Sequence, residues 1–401
     1  MERNIRLYPW YYAASSFLAW LPIFFLYFSE DLGLKEVLLL ESIYYIAVVI
    51  LEIPTGYFSD LVGRRKTLLV GAVFLCLACV FYLIGGSFVM FTCGQIAFAL
   101  FMSFTSGTNT VFHYESLAAL GRDNEYGDRE AIVNKYGMVA GGTAALVGGG
   151  LALIDFRLAY VATFSSALIS LFILVRMSEP LTMEMRSEAK SNFINQLVAS
   201  LKYLNIESLG WIAGYYVIIF SITHVPYEFY QPYIQLLEDD GQIWDSSTPI
   251  LAGLLYAFAR YIGAFGAAYS MVWKRKFGLR NHLLIQLLIV NLIVGAMCRG
   301  LHPIIIGMVL MRSLPWAAIK APINEIITPL VGVGQRATFH SMLSLACRFV
   351  FFCVLFLLSL LIPNEAISDW PNLRLLLSYC FVGGIALSAV IIWTSSVLKK
   401  E

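Results

Sequence analysis

Residues 56–66 read Gly-Tyr-Phe-Ser-Asp-Leu-Val-Gly-Arg-Arg-Lys and form a short polar stretch between two long apolar runs. One acid, Asp60, and one glycine, Gly63, stand shortly before three consecutive bases. Glycine permits the tight turn that joins two antiparallel helices, and clustered bases mark the cytoplasmic side of a membrane. The stretch therefore predicts a cytoplasmic turn between two membrane-spanning helices.

The composition is that of a membrane protein. The 401 residues are 59% hydrophobic and 13% charged, with a mean hydropathy of +0.75, whereas about a quarter of the residues of a soluble domain are charged. Runs of about 20 apolar residues cross a bilayer as helices, because the backbone polar groups must be satisfied within the segment. Twelve runs have that length: 8–29, 36–58, 67–86, 88–118, 133–154, 157–177, 208–237, 248–272, 281–299, 302–329, 337–362 and 372–396.

The basic residues are distributed unequally between the two sides that these runs define. If the N-terminus is cytoplasmic, the opposite side holds only Lys35, Arg157, Arg299 and Arg374. The positive-inside rule then places both termini in the cytoplasm, and we expect a multi-pass protein of the plasma (inner) membrane. The first run lacks a small-residue cleavage site and is expected to remain as a span.

A polar, charged segment at 178–207 divides the runs six and six. We predict an N-terminal six-helix bundle (1–177), a cytoplasmic linker (178–207) and a C-terminal six-helix bundle (208–401). The halves show weak similarity, since a shift of 210 residues places Glu115 on Glu325. The predicted fold is an all-α integral membrane protein of twelve transmembrane helices in two pseudo-symmetric six-helix bundles, an arrangement that is common in transporters.

The sequence contains no pattern typical of an enzyme or of a metal site. The seven cysteines lie mostly inside apolar runs, and Cys76 and Cys79 have no histidine or further cysteine nearby, so we predict no metal and no cofactor. A phosphate-binding GxxxxGK[ST] loop and a soluble domain are also missing. We therefore expect a protein that is not an enzyme and that does not bind nucleic acid.

The pattern Gly56-x-x-x-Asp60-x-x-Gly63-Arg64-Arg65-Lys66, between the second and third spans, resembles the signature loop of the major facilitator superfamily. The stretches 52–56, 114–117 and 336–338 resemble a branch of bacterial drug and metabolite exporters. These resemblances imply secondary transport by alternating access, and the exporter branch implies proton-coupled efflux by antiport.

The signature loop and its neighbourhood are expected to form a gate on the cytoplasmic side. Asp60 and Arg64 are positioned to pair and to latch one conformation, whereas Arg65 and Lys66 are also explained as bases that only orient the chain. Gly56 is expected to let the second span approach a neighbour closely. The predicted gate residues are Glu52, Gly56, Asp60, Gly63, Arg64 and Arg65.

Ionisable groups inside a span are costly and are therefore candidates for function. Arginines near the middle of spans 8, 10 and 11 suit a carboxylate or another anionic group of a substrate. Deeply placed aromatic residues either line an amphipathic pocket or pack in the core. The predicted substrate-cavity residues are Trp20, Asn109, His113, Tyr227, Glu228, Arg260, Arg312, Trp316, Lys320 and Arg348.

Four residues are candidates for proton coupling, namely Glu228, His224, Glu115 and Glu325. A carboxylate in a dry cavity holds a proton more readily, and a nearby arginine opposes this. His224 lies one turn before Glu228 and is either a proton relay or a hydrogen-bonded helix residue. Glu115 is either a proton site or a partner for the loop that contains Arg122 and Arg129.

The function that we predict is proton-coupled efflux of a small organic compound, which is anionic or zwitterionic and amphipathic. The alternative is a proton-coupled uptake symporter for an organic anion, which the arginines and the lack of a Gly-Pro pair in span 5 keep open. The expected partners are the substrate, protons and the lipid bilayer, and we expect a monomer.

Overall fold

The computed structural model describes residues 1–180, 200–331, 336–363 and 369–399, apart from a few side chains that include Asp60. Within these ranges the protein is helical and contains no strand. The first part of the chain forms α1 Glu2–Ser15, α2 Phe24–Ser29, α3 Leu34–Val62, α4 Arg64–Ile84, α5 Phe88–Thr105, α6 Thr108–Ala118, α7 Tyr126–Ala152 and α8 Phe156–Arg176.

The second part forms seven further α-helices within the described ranges. They are α9 Glu207–Asp239, α10 Thr248–Phe277, α11 Leu279–Arg299, α12 Ile304–Val309, α13 Ser313–Leu330, α14 Arg336–Leu361 and α15 Trp370–Thr394. A short 3-10 turn, Leu310–Arg312, joins α12 to α13.

The described residues divide into two compact units. The first unit contains residues 1–180 without 33–35, and the second contains 33–35 together with the described residues from 200 onwards. Most of the predicted linker lies outside the described ranges, so the linker boundaries stay a prediction.

Ten helices of the described chain are long and apolar enough to cross a membrane, counting α5 with α6 and α12 with the turn and α13 as single spans. The predicted number of twelve is not confirmed. The run 8–29 is divided between α1 and α2, and α7, which covers the run 133–154, is not among the ten. Helix α7 begins with charged residues and is rich in glycine, which lowers its hydropathy.

The break between α1 and α2 is stabilised by contacts inside the first unit. The backbone N–H of Ala19 donates to Thr163 Oγ1 over 2.9 Å in a buried position. A Cβ on Gly148 of α7 would lie 1.8 Å from the carbonyl oxygen of Ala19. Irregular backbone in a membrane protein must find polar partners within the protein, and small residues permit such close approach. Gly148 therefore lets α7 pack directly against the broken span.

The second unit uses small residues in the same way where α10 meets α13. A Cβ on Gly266 would lie 2.9 Å from the carbonyl oxygen of Leu314, and one on Gly263 would lie 3.2 Å from Ser313 Cβ. The two helices can approach closely only because these positions are glycine. This contact fixes the start of α13, directly after the turn that carries Arg312.

Candidate functional site

Helices α9 and α10 and the turn before α13 bring tyrosines and arginines together in the second unit. Tyr227 and Tyr230 lie three residues apart on α9, so they share one side of the helix. The ring of Tyr227 lies 6.3 Å from that of Tyr256 on α10, measured between centroids. We call this group, completed by Arg260 and Arg312, the tyrosine–arginine cluster.

Arg312 is the most deeply buried base of this cluster, with 3% of its surface exposed. Its guanidinium carbon lies 4.6 Å from the ring centre of Tyr230 and 6.0 Å from that of Tyr256. Its Nη1 atom has no hydrogen-bond partner among the described residues. A buried charge without an opposite charge is costly, and a desolvated cation–π contact, worth about 2 kcal/mol, offsets only part of that cost.

Two further bases of the second unit stand over aromatic rings but are more exposed. Arg260 lies one turn after Tyr256, with its guanidinium carbon 5.8 Å from that ring centre. Lys320 lies one turn after Trp316 on α13, with its Nζ 5.6 Å from the indole centre. Both residues are exposed, whereas Arg312 is buried.

Aromatic contacts connect His224 with the tyrosine–arginine cluster on one side and with Trp316 on the other. Its Nδ1 lies 2.8 Å from the carbonyl oxygen of Phe220, and its ring stacks on Phe220 at 3.7 Å. The Phe220 ring lies 5.3 Å from that of Trp316, and the His224 ring lies 6.0 Å from that of Tyr227. The carbonyl oxygen accepts a hydrogen bond from Nδ1–H, so in the neutral imidazole the proton is on Nδ1.

Glu228 and Arg348 lie near the same group of residues. Glu228 is 1% exposed and interacts electrostatically with Tyr230. Arg348 of α14 is half-buried and interacts electrostatically with His224. Apart from Glu325, which contacts Lys274, the residues that the sequence suggests for the C-terminal half thus lie in one connected group within the second unit.

Sequence analysis did not select Tyr230, Tyr256 or Phe220 as site residues, although these residues hold this region together. Each lies close in sequence to a predicted residue: Tyr230 follows Tyr227 by three positions, and Phe220 precedes His224 by four. A search for aromatic residues one helical turn from each intramembrane base or histidine would have found them.

The candidates of the first unit lie in two separate places. The Nδ1 of His113 lies 2.6 Å from Glu130 Oε2, and its ring stacks on Tyr8 at 4.5 Å. Asn109 accepts hydrogen bonds from Tyr8 at its carbonyl oxygen and from Tyr11 at Oδ1, over 2.8 and 3.0 Å. These contacts fix the start of α6 against α1.

Trp20 lies in the break between α1 and α2 and is 3% exposed. Its ring packs against Tyr82, Phe98 and Tyr160 at centroid distances of 5.2, 4.9 and 5.7 Å. These contacts are those of a core residue, and a place for Trp20 in a substrate cavity stays a prediction.

The predicted gate contains an ion pair that is repeated in both units. Arg64 Nε lies 3.4 Å from Glu115 Oε1, and the side chains are 17% and 12% exposed. In the second unit Lys274 Nζ contacts Glu325 Oε2. Both partners are related by the same shift, since 274 − 64 and 325 − 115 each equal 210. Each unit therefore has a base, Arg64 or Lys274, that contacts an acid, Glu115 or Glu325, at the equivalent position of the repeat.

Gly63 forms the turn between α3 and α4, and the two arginines that follow it make hydrogen bonds within the protein. Gly63 has φ of 117°, a conformation that favours glycine. The backbone N–H of Arg64 donates to Glu179 Oε1 over 2.7 Å at the start of α4. Arg65 donates to the carbonyl oxygens of Leu174 and Val175 over 2.9 and 2.8 Å. Arg65 thus caps the C-terminal end of α8 in addition to any orienting role.

Other gate predictions have mixed outcomes. Ser106 Oγ lies 3.4 Å from Glu52 Oε1. A Cβ on Gly56 would meet no described atom within 4 Å, so the expected close approach is not observed there. The side chain of Asp60 lies outside the described part of the structure, and its latch role stays a prediction.

Glu115 contacts Arg64 of α4, a different partner from the loop after α6 that one of our two interpretations named. Arg122 contacts Glu2 and Glu125, and Arg129 contacts Glu125. The bidentate contact with Arg122, supported by Arg129, lowers the pKa of Glu125 from its ordinary 4.5 to about 2. The loop therefore has its own acid, which leaves Glu115 for Arg64.

Comparison with known sequences gives the class of protein. The sequence model of the Major Facilitator Superfamily matches residues 11–352. The chain therefore belongs to this superfamily and is a multi-pass membrane transporter. A comparison with curated proteins found no match.

Solved transporter structures share the fold at low sequence identity. The nucleoside transporter NupG is 10% identical, with a TM-score of 0.77 over 97% of this chain and 99% of that one. A bacterial homologue of the iron transporter ferroportin, in an inward-facing state, is 16% identical, with a TM-score of 0.72 over 98% of both chains. The peptide transporter POT, in complex with sulfate, is 13% identical, with a TM-score of 0.70 over 98% of this chain and 95% of that one. At such identities the likeness concerns the fold alone.

Proposed function

We propose that this protein is a secondary active transporter for a small, amphipathic organic anion or zwitterion, and that Arg312 binds the anionic group. The observation that carries the proposal is the buried Arg312 guanidinium, which rests on Tyr230 and has an Nη1 without a hydrogen-bond partner among the described residues. Guanidinium binds carboxylate and phosphate strongly through paired N–H groups. A substrate anion would supply the opposite charge that the described surroundings of Arg312 lack.

The aromatic surroundings of Arg312 favour an apolar body behind the anionic group. Tyr227, Tyr230 and Tyr256 stand beside the guanidinium, and the aromatic contacts continue through His224 and Phe220 to Trp316. Sites for small molecules are generally apolar and aromatic, with a few polar groups that fix orientation. An aromatic or branched carboxylate has this combination of properties.

Proton coupling and efflux remain part of the proposal. Glu228 is a buried acid in the same unit as Arg312, and His224, one turn earlier, stays our candidate for a proton relay. Glu115 and Glu325 contact bases in equivalent positions, which favours a gating role over a proton site for these two. We place both termini in the cytoplasm, on the evidence of the basic residues, and expect the protein to work as a monomer.

Matched carboxylates and their neutral amides provide the test of Arg312. Purified protein should be stabilised in thermal-shift assays by members of an aromatic carboxylate panel and much less by the amides. Arg312→Gln should weaken the carboxylate effect at least tenfold, because the substrate anion loses its charged partner.

Arg176→Gln is the matched control. Arg176 also rests on a ring, with its guanidinium carbon 4.1 Å from the Phe172 centre, but it is exposed at the end of α8. It should bind the panel like the wild type. Equal losses for carboxylates and amides in Arg312→Gln would show that Arg312 is only structural.

A further inference from the structure

The first unit contains a buried carboxylate that sequence analysis did not single out. Glu41 lies two turns into α3, within the membrane span Leu34–Ser59, and is 7% exposed. Its charge is hidden in the sequence because the residues on both sides are almost entirely apolar. An ionisable side chain at such a place in a membrane protein is costly and is usually retained for a function.

Gln95 contacts Glu41 directly, and Tyr82 orients Gln95. Gln95 of α5 donates from Nε2 to Glu41 Oε1 over 2.7 Å. Tyr82 of α4 donates from its hydroxyl to Gln95 Oε1 over 2.9 Å. Because the tyrosine hydroxyl occupies the oxygen of the amide, the NH2 group of Gln95 is directed at the carboxylate.

The position of Tyr82 is itself fixed by its neighbours. A Cβ at Gly94 would lie 2.5 Å from the Tyr82 ring, so the ring packs directly on the backbone of α5. The hydroxyl of Tyr27 donates to the carbonyl oxygen of Tyr82 over 2.7 Å. The two hydrogen bonds that connect Tyr82, Gln95 and Glu41 are therefore held in place by the packing of the first unit.

The titratable groups around Glu41 in the first unit are mainly phenols. Tyr82 on α4 and Tyr160 on α8 interact electrostatically with it. Tyr82 also interacts with Cys79 and Tyr44, and Tyr160 with Tyr27 and Cys79, so these groups belong to the same part of the first unit. Burial favours the neutral acid, whereas the Gln95 donor favours the carboxylate. Each of the two protonation states of Glu41 is therefore favoured by one of these features.

We propose that Glu41 is a proton-binding site of the transport cycle. Solvent supplies the proton, an O–H bond forms at the carboxylate, and the neutral acid releases that proton to solvent later in the cycle. Gln95 and Tyr82 are positioning residues that orient the hydrogen bond to the carboxylate. The coupling part of this inference rests on the proposed function, whereas proton binding by Glu41 does not depend on it.

Infrared spectroscopy of the protein in lipid, titrated with pH, tests proton binding without any substrate. The wild type should show the band of a buried carboxylic acid, and Glu41→Gln should remove it. Glu30→Gln, at an exposed glutamate shortly before α3, is the control and should keep it. A wild-type spectrum in which Glu41→Gln removes no titrating band would overturn the proposal.

Two further variants keep the test decisive if Glu41→Gln does not fold. Gln95→Met preserves the volume but removes the hydrogen-bond donor to the carboxylate. The carboxylic-acid band of Glu41 should therefore shift in frequency and persist to higher pH. Tyr82→Phe should shift the band in the same direction by a smaller amount. Unchanged bands in both variants would also contradict the inference.

A transport assay separates this inference from the proposed function. In proteoliposomes, Glu41→Gln should still bind the carboxylate panel but should lose at least tenfold of the pH-driven rate. If the infrared band is absent and carboxylates still bind through Arg312, only the Glu41 inference fails. If the band is present and no carboxylate binds, only the proposed substrate class fails.

Discussion

At the scale of single residues, the protein buries two ionisable groups for which we propose a function. Arg312 stands against aromatic rings and has no carboxylate partner among the described residues, and Glu41 accepts a hydrogen bond from Gln95. Arg64 and Glu115 form an ion pair with one another. Replacement of a buried ion pair by apolar residues of similar volume is often stabilising, and we expect the same for Arg312, because the described residues supply no counter-charge.

Arg312→Met should raise the unfolding temperature of the protein while abolishing carboxylate binding. Methionine fills much of the same space and needs no counter-charge, so we expect a gain of roughly 1–4 kcal/mol in the free energy of unfolding. Thermal unfolding in detergent, with and without the carboxylate panel, measures both effects. A large loss of stability would mean that Arg312 has a structural role that its present contacts do not explain.

At the scale of helices, packing in the first unit depends on the absence of a side chain at a few glycines. The broken span between α1 and α2 has buried backbone, which requires the Ala19–Thr163 hydrogen bond and close contact with α7. Gly148 provides that contact, whereas a Cβ at Gly150, two positions later, would meet no described atom within 4 Å. Substitution of Gly148 and of Gly150 on the same helix therefore compares a packed position with an open one.

Gly148→Ala should strongly destabilise the protein, because the new methyl group would lie 1.8 Å from the Ala19 carbonyl oxygen. Overpacking of this kind costs about 1–3 kcal/mol or more. Gly150→Ala should be neutral or stabilising by up to about 1 kcal/mol, since alanine favours the helix. Thermal unfolding of both variants tests this, and equal effects would mean that α7 does not pack on the break.

The loop between α6 and α7 should respond to acid through Glu125. Its pKa is lowered in the folded protein, so its contribution to stability is present above its ordinary value of 4.5 and is lost as the pH falls toward about 2. Glu125→Gln should therefore reduce the loss of stability between these two pH values. Unfolding curves across that range measure the effect, and an unaltered pH profile would show that the contacts with Arg122 and Arg129 do not form.

At the scale of the whole molecule, the repeat offers a physical basis for switching. Arg64–Glu115 and Lys274–Glu325 occupy equivalent places 210 residues apart, as 274 − 64 and 325 − 115 show. If both pairs lie on the predicted cytoplasmic side, each unit has its own charged contact there. We propose that these contacts form and break during a transport cycle.

The direction of transport can be measured through vesicle orientation. If the protein is a proton-coupled exporter, everted vesicles with an imposed proton gradient should accumulate a carboxylate from the thermal-shift panel, and right-side-out vesicles should not. The reverse result would establish the uptake symporter. Glu228→Gln should abolish the response to pH in either orientation while leaving gradient-driven exchange of substrate intact.

The membrane character, the turn at Gly63 and membership of the superfamily could all be read from the amino-acid sequence. These features depend on residues that are close together in the sequence: long apolar runs, a glycine at the turn and clustered bases. They can therefore be recognised without knowledge of the tertiary structure. The sequence also indicated Arg312 and Tyr227, but as isolated candidates within separate spans.

Which of these residues meet depends on how the helices pack in three dimensions. Hydropathy does not specify the rotation of a helix about its axis or the depth of a side chain, and these two quantities determine contacts between spans. For this reason Glu41 was hidden in an apolar run until Gln95 and Tyr82 were placed beside it. For the same reason Glu115 was found with Arg64 of α4.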